Sequence, residues 1–200
     1  MNTSLHRPPM RAMTLGLLAA FFVAPTALAQ TLCSNENPSI LSTTPGDDFE
    51  VHADGAVTHI ATGLMWMRCA LGQTWTGSTC SGEGGEYNWA EVHEAVVALN
   101  AAGGFAGYDD WRLPNIKELA SIVEERCWDP AINETVFPNT PAGDWTSAAW
   151  SSTPNNMGNA ETAFQVRFHP VPGVTAFATG QISASSKLST FGARLVRDAP

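Results

Sequence analysis

The sequence predicts a single α+β domain, and three observations support this prediction. A chain of 200 residues has the length of one domain. In the middle of the chain, residues 89–102 and a second segment that follows Asn115 place apolar side chains at helical spacing. Short runs typical of strands, separated by Gly, Pro, Asn and Ser, lie on both sides of these two segments. Two helices flanked by two groups of strands are typical of an α+β domain.

Before the first helix the pattern predicts an extension, a hairpin and a long loop. Residues 30–48 are polar and rich in turn formers, and we expect them to form an N-terminal extension. Residues 56–60 and 64–68 have the pattern of two strands, and the turn Ala61-Thr62-Gly63 joins them. Gly, Ser, Thr and acidic residues dominate residues 72–87, which predicts a loop.

The first helix is predicted at residues 89–102. Asn88 is followed three residues later by Glu91, which is a variant of the capping box. Gly103-Gly104 is expected to end the helix. Its apolar face is formed by Val92, Ala95, Val96 and Leu99.

The second helix repeats the capping pattern, with Asn115 followed by Glu118. We expect this helix to end near Cys127, before Pro130. Its apolar face is formed by Ile116, Leu119, Ala120 and Val123. Glu124-Glu125 is then expected to be a solvated face at the end of the helix.

The C-terminal third of the chain returns to strand patterns. Phe164, Val166 and Phe168 alternate strictly with other residues, as in a strand with one buried face. Further strands are predicted at residues 149–152, 174–177 and 193–197. The first and last strands are expected to be neighbours in the sheet.

The start of the chain is predicted to be a secretory signal peptide, residues 1–29. Its cationic start, apolar run and small-residue cleavage site are His6, Arg7 and Arg11, residues 12–23, and Ala27-Leu28-Ala29. The apolar run is shorter than the roughly 20 residues that span a bilayer. An uncleaved anchor is the alternative. We expect an exported chain that begins at Gln30, has no transmembrane segment after cleavage, and acts in the periplasm, outside the cell or at its surface.

The charge balance excludes some classes of partner. The chain has 10 Lys and Arg against 19 Asp and Glu, a formal charge of −9. The signal peptide contains two of the Arg, so the mature chain is expected to have 8 basic and 19 acidic residues, a charge of −11. Such a chain lacks the basic face that nucleic acid requires, and no nucleic-acid partner is expected. Seven Trp and nine Phe also exclude a disordered acidic tail.

Four cysteines remain after cleavage, and an even number in an exported chain indicates two disulfides. Four cysteines can pair in three ways. Cys69 and Cys80 flank a short, turn-rich loop, which favours their pairing and leaves Cys33 with Cys127. Metal ligation is the alternative. The sequence has no CxxC and no Cys/His spacing typical of zinc, so no metal site is expected.

A set of motifs occurs in order along residues 49–198. They are Thr62-Gly63-Leu64-Met65-Trp66, Cys69 and Cys80, Trp89, Asp110-Trp111-Arg112-Leu113-Pro114-Asn115 with Lys117-Glu118-Leu119, Phe137-Pro138, Trp150-Ser151-Ser152 and Arg194-Leu195-Val196-Arg197. These motifs resemble the Lcl C-terminal domain, the C-terminal domain of the Legionella collagen-like adhesin. The resemblance implies a C-type-lectin-like single domain with two helices, a twisted antiparallel sheet and long loops. It also implies an exported bacterial protein.

The resemblance does not by itself imply that this chain binds the ligand of the best-known member of the family. The best-known member of the family recognises sulfated glycosaminoglycans through a basic surface and forms trimers. This chain has no collagen-like Gly-X-Y stretch, and its negative charge is expected to repel a sulfated polyanion. The oligomeric state stays open.

The tryptophans divide into two groups. Trp66, Trp89 and Trp111 lie in apolar patterns and are expected in the core. The four with polar or turn-rich neighbours are Trp75, Trp128, Trp145 and Trp150. An aromatic ring on a loop can stack on the apolar face of a sugar, so these four are candidate ligand-binding residues. The alternative is that they cover the core beneath long loops.

A few polar residues are also candidates for binding a ligand or a cation. Arg112, between Trp111 and Leu113 and before Pro114, is expected to pair with a carboxylate such as Glu118 or Asp110, and the alternative is an anion clamp for a ligand. Asp109 and Asn155 offer oxygen atoms of the kind that calcium binds. The acid that precedes Pro in a C-type lectin calcium site is missing here, so no divalent cation or other cofactor is expected.

No catalytic motif is found. His93-Glu94 is not completed by the second His of a zinc protease, and four paired cysteines leave no nucleophile. The expected function is therefore a secreted, non-enzymatic binding module for a carbohydrate or another cell-surface ligand in the bacterial envelope. One alternative is a structural component of an envelope assembly that binds protein. A second is a glycan hydrolase that uses two carboxylates.

Overall fold

A computed structural model describes residue 1 and residues 31–141, 148–156, 159–170 and 180–200. The chain divides into two units, residues 1–30 and 31–200, and the helices and strands named below lie in the second. The predicted signal peptide beyond residue 1, Trp145 and the predicted strand at 174–177 lie outside the described residues.

The described residues form an α+β domain with short helices and antiparallel sheets. In chain order the elements are β1 (Phe49–Val51), β2 (Ala56–His59), β3 (Leu64–Met67), β4 (Thr74–Trp75), β5 (Cys80–Ser81), α1 (Trp89–Ala101), α2 (Ile116–Ala120), β6 (Ala148–Pro154), β7 (Thr162–Arg167), β8 (Ile182–Ser186) and β9 (Val196–Asp198). A 3₁₀ turn, Gly46–Asp48, leads into β1. Because β1 to β5 precede both helices and β6 to β9 follow them, the predicted α+β class is confirmed.

The strands form three antiparallel sheets. The largest has the order β1-β2-β3-β9, and its central hairpin pairs Val57 with Trp66. The predicted hairpin is confirmed. The expectation that the first and last strands are neighbours is wrong, because the last strand pairs with β3 and β1 lies at the opposite edge of the sheet. The strands β6-β7-β8 form a second sheet, and β4 and β5 form a small hairpin.

The first helix forms as the sequence predicts. The Asn88 side chain accepts hydrogen bonds from the backbone of Ala90 and Glu91, and the Glu91 side chain accepts one from the Asn88 N–H. This reciprocal cap satisfies donors that no helical carbonyl can reach. The helix α1 ends at Ala101, before Gly103-Gly104.

The second helix is much shorter than predicted. Its cap forms, because Asn115 accepts from Lys117 and Glu118 and the Glu118 side chain accepts from the Asn115 N–H. The helix nevertheless ends at Ala120, and the prediction that it continues to Cys127 is wrong. In the segment that follows, the side chain of Glu124 is completely buried. On the solvated end of a longer helix, where the sequence places it, this carboxylate would be exposed.

The four-stranded sheet lies between two apolar clusters. One face presents Val57 and Trp66 to a cluster that includes Leu119 of α2. The other face presents Met65 to a cluster that includes Val92 of α1 and Trp111. Alternate strand residues point to opposite faces, so a sheet covered on both faces needs apolar side chains at both positions. This explains why all four residues of β3 are apolar and buried.

Both predicted disulfides form. Cys33 pairs with Cys127 across 94 residues, and Cys69 pairs with Cys80 across 11 residues. All four cysteines are therefore paired. Disulfides of this kind are consistent with an exported protein. Within the described residues, no helix has the length and the apolar character needed to cross a membrane.

Candidate functional site

The N-terminal extension is bound in two places to the segment that follows α2. We call residues 32–44 the strap. Next to the Cys33–Cys127 disulfide, Glu36 and Cys127 form an antiparallel bridge. The Trp128 N–H donates to the carbonyl of Asn35 at 3.1 Å. The Glu36 carboxylate lies 3.3 Å from the Arg126 side chain, in a pair that is mostly shielded from solvent. The strap is thus paired along residues 35–37.

A buried carboxylate binds the other end of the strap. Glu124 is completely buried, and its carboxylate accepts hydrogen bonds from the Ser42 hydroxyl and from the backbone of Thr43, Thr44 and Arg126, at 2.6 to 3.0 Å. Burial raises the pKa of Glu124. The hydrogen bonds from the Ser42 hydroxyl and from the backbone of Arg126, Thr43 and Thr44 more than offset this, and the pKa lies below its ordinary value. The expectation of a solvated Glu124 is wrong, because this carboxylate holds the strap in place.

A cleft of about 280 Å³ opens between the strap and the segment that follows α2. Its lining is Asn37, Ile40, Val123, Glu124, Glu125, Arg126, Cys127, Trp128 and Ala131. The indole of Trp128 is 48% exposed and is the one exposed aromatic side chain among the residues that the structure describes. We call this the Trp128 cleft. It combines an exposed aromatic ring with polar side chains on a support fixed by a disulfide.

Trp75 has a different environment. Its Nε1–H donates to the carbonyl of Ala53 at 3.1 Å, and the guanidinium of Arg68 lies 4.6 Å from the ring centroid. The backbone of Gly55 lies directly beneath the ring, where a Cβ atom would come within 2.6 Å of the indole. Trp75 is therefore half-buried and packs over the β1–β2 turn, as the alternative interpretation of the loop tryptophans proposes.

Trp150 does not reach the surface. Its side chain is fully buried in β6, its Nε1–H donates to the carbonyl of Tyr87 at 2.9 Å, and its ring packs edge-on against Phe191 at 4.8 Å. The prediction that Trp150 lines a ligand surface is wrong. The neighbouring serines suggested a loop, but the Ser151 hydroxyl is itself buried and bonds to the carbonyl of Phe164.

Arg112 forms a bidentate ion pair with Glu118. Its terminal nitrogens lie 2.8 and 3.0 Å from the two carboxylate oxygens, and one of them also lies 3.1 Å from Asp198. Asp110 pairs with Arg197 instead. Burial raises the pKa of Glu118, but Arg112 and the Asn115 N–H lower it below its ordinary value. This geometry joins the start of α2 to β9.

The remaining structural residues of the motif are buried. Trp66 and Trp111 lie in the two apolar clusters. Pro114 is buried as well, and its carbonyl accepts a hydrogen bond from the Ser152 N–H at 2.8 Å. These contacts fix the junction between the sheets and α2.

The oxygen-bearing candidates are not brought together. Asp109 is exposed beside Tyr108, whereas the side chain of Asn155 donates to the Thr162 hydroxyl at 3.1 Å. Among the described residues, no group of three or more His, Cys, Asp or Glu side chains could hold a metal ion. Neither residue lines the Trp128 cleft.

A second cleft, of about 270 Å³, lies on one face of the four-stranded sheet. Its lining is Glu50, His52, Asp54, Thr58, Met65, Tyr108, Ala199 and Pro200. It forms because Glu50, Thr58 and Met65 are successive partners across the strands and share one face. The sequence pattern did not reveal it, because strand register decides which of these side chains are neighbours.

Of the residues that line the Trp128 cleft, the sequence pattern pointed to Trp128 as a ligand-binding candidate, but not to Asn37, Ile40 or Glu125. The one feature of the sequence that could have indicated them is the Cys33–Cys127 pairing, because it brings the strap close to Trp128.

Residues 55–197 match the family model described as the Lcl C-terminal domain, which confirms the resemblance seen in the motifs. No curated protein matches the chain. The match begins after the strap, so Asn37 and Ile40 lie outside it.

Proposed function

The chain belongs to the Lcl C-terminal domain family, and from that premise we propose that it is an exported, non-enzymatic module that binds carbohydrate in the Trp128 cleft. The family supports an adhesin-related domain of C-type-lectin-like fold. The two disulfides support action in the periplasm, outside the cell or at its surface. The ligand is a glycan of the bacterial envelope or of a cell that the bacterium contacts.

The observation that carries this proposal is the exposed indole of Trp128 on a fixed support. An aromatic face offers an apolar platform, and a sugar ring needs polar groups around that platform for its hydroxyls. The Trp128 cleft provides both, since Asn37 and Glu125 line it as well. Because the disulfide and the Glu124 carboxylate hold the strap, little conformational entropy is lost when a ligand binds.

The carboxylates of the cleft favour binding over hydrolysis. Glycoside hydrolysis uses two carboxylates on opposite sides of the scissile bond. Two glutamates line this cleft, but Glu124 is fully buried and engaged by the strap. Glu125 is exposed and would act alone. The carboxylate-based hydrolase is therefore not the function that we propose.

The charge of the cleft favours a neutral ligand. Glu125 is exposed, and the charge of Arg126 is paired with that of Glu36. The whole chain has a formal charge of −9. A sulfated polyanion would therefore be repelled, both by the cleft and by the protein as a whole.

One observation favours a second function, the binding of an envelope protein. Leu41 is 90% exposed and follows Ile40, so apolar side chains continue from the cleft onto the strap. Exposed apolar patches often mark protein interfaces. The partner would be a component of an envelope assembly.

A glycan array on the oxidised full chain, with calcium and with chelator, tests the proposal. We expect selective binding of neutral glycans that calcium does not alter, lost in Trp128→Ala and retained in Trp75→Phe. The second variant is a matched control, because it alters a tryptophan that packs outside the cleft. Turnover of a bound glycan would overturn the non-enzymatic assignment. Absence of glycan binding, with capture of an envelope protein that Leu41→Ser abolishes, would establish the second function.

A further inference from the structure

We infer that the strap makes the Trp128 cleft selective for an N-acetylhexosamine. This inference rests on the proposed function and names the ligand class of the same cleft. It is based on three residues that line the cleft together with Trp128, namely Asn37, Ile40 and Glu125. Together they match the three parts of an acetamido group: a carbonyl oxygen, a methyl group and an N–H.

Asn37 provides a donor for the acetamido carbonyl. Its Oδ1 accepts a hydrogen bond from the Ser39 N–H at 3.1 Å, and its backbone N–H donates to the carbonyl of Arg126 at 2.9 Å. These two bonds fix the residue. Among the described residues the Asn37 Nδ2 group has no partner, and it remains exposed at the cleft. An amide that is held through its oxygen presents its N–H groups to a ligand.

Glu125 provides an acceptor for the acetamido N–H. Its backbone N–H donates to the Thr43 hydroxyl at 2.9 Å, which ties it to the strap. Its carboxylate is exposed, and within the described part of the chain it forms no ion pair. A carboxylate accepts strong hydrogen bonds from amide N–H groups.

Ile40 provides an apolar surface for the methyl group. Its side chain is 41% exposed and lines the same cleft as Trp128. Its backbone N–H donates to the carbonyl of Asn37 at 3.0 Å, so one turn holds the amide and the apolar side chain together. A plain hexose has no methyl group to cover Ile40, whereas the acetamido group of an N-acetylhexosamine has one.

Isothermal titration calorimetry of the oxidised full chain with two trisaccharides tests this inference. The first is N,N′,N″-triacetylchitotriose, called chitotriose below, and the second is cellotriose. They differ only in an acetamido group in place of the 2-hydroxyl of each ring. We expect chitotriose to bind at least about tenfold more tightly, the effect of one or two added hydrogen bonds and a buried methyl group. Trp128→Ala should abolish the binding of both sugars.

Three conservative variants test the individual contacts. Asn37→Asp keeps the oxygen that binds Ser39 and removes the Nδ2 donor, Glu125→Gln removes the charge, and Ile40→Ala removes the apolar surface. Each should weaken chitotriose binding by about 3- to 10-fold and weaken cellotriose binding by a smaller factor, so that the preference for chitotriose decreases. Val97→Ala, at an exposed aliphatic residue of α1, is the matched control and should alter neither. Equal melting temperatures establish that each variant folds.

The possible results separate the two proposals. Equal binding of both trisaccharides, lost in Trp128→Ala, would overturn the selectivity for the acetamido group and leave the proposed function standing. Array binding that depends on Trp128 but prefers sugars without an acetamido group would do the same. Array binding unaffected by Trp128→Ala, or absent, would overturn the proposed function itself.

Discussion

Each of the two disulfides lies close to a tryptophan, and one of these tryptophans is packed against the protein whereas the other is exposed. The Cys69–Cys80 bridge closes a small loop that contains the β4–β5 hairpin, and Trp75 within it packs down onto Gly55. The Cys33–Cys127 bridge holds the strap, and Trp128 beside it remains exposed. Both tryptophans have polar neighbours in the sequence. The difference lies in the surface beneath each ring.

Glycine makes the first arrangement possible. Gly55 has a φ of +93° and no side chain, so the Trp75 indole can lie against its backbone. Trp128 instead lines a cleft whose opposite wall includes residues of the strap. Trp75 thus packs on the backbone of Gly55, whereas Trp128 stays exposed beside the strap.

The largest expected effect comes from the two disulfides themselves. In the chain-entropy model a cross-link that closes 94 residues contributes about 4–5 kcal/mol, and one that closes 11 residues contributes about 3 kcal/mol. The double variant Cys33→Ala with Cys127→Ala should therefore lower the free energy of unfolding more than Cys69→Ala with Cys80→Ala. Urea unfolding of both variants measures the difference. A larger loss for the hairpin pair would show that the strap contributes little to stability.

Removal of the carboxylate that holds the strap should have the next largest effect. Glu124→Ala leaves the Ser42 hydroxyl and the N–H groups of Thr43 and Thr44 without their acceptor in a buried place. We expect a loss of about 3–4 kcal/mol in the free energy of unfolding. Glu125→Gln is the control, because its exposed carboxylate should change stability by less than about 0.5 kcal/mol. Equal effects of the two substitutions would contradict the role given to Glu124.

Local patterns in the sequence predicted the parts of the fold that depend on local contacts. Asn88 and Asn115 cap their helices as the Asn-x-x-Glu spacing indicates, because both partners of each cap lie within four residues. The β2–β3 hairpin depends on one turn. The cysteine pairing was accessible because one short loop left a single remaining pair.

The parts that the sequence did not reveal depend on distant contacts. The apolar spacing after Asn115 favours a long helix, but the helix ends at Ala120. The carboxylate of Glu124 beyond it is bound by residues 42–44, about 80 positions away. Trp150 has polar neighbours, yet the carbonyl that accepts its N–H belongs to Tyr87. The Trp128 cleft was anticipated only through its tryptophan, because its other wall belongs to the strap.

The two tryptophans should differ in what their removal costs. Trp75→Ala removes a half-buried ring that covers Gly55 and lies beside Arg68, and we expect a loss of about 2–3 kcal/mol in the free energy of unfolding. Trp128→Ala removes an exposed ring, and its loss should stay below about 1 kcal/mol. Thermal or urea unfolding measures both values. If Trp128→Ala were the more destabilising variant, its indole would be a structural element, and loss of glycan binding in that variant would have to be reinterpreted.

The smallest expected effect is a dependence of stability on pH that originates at the strap. Burial raises the pKa of Glu124, but hydrogen bonds from Ser42 and from backbone N–H groups lower it below the ordinary range. Because the pKa is lower in the folded than in the unfolded chain, the ionised carboxylate contributes its full stabilisation above about pH 5. This contribution is lost as the pH falls through the lowered pKa of the folded state. The difference in unfolding free energy between the native chain and Glu124→Gln, measured from pH 6 to pH 3, should therefore be constant near neutral pH and shrink under acid conditions. A difference that stays constant over that range would mean that the carboxylate has the same pKa in the folded and the unfolded chain. The hydrogen bonds from the strap would then not favour the ionised form.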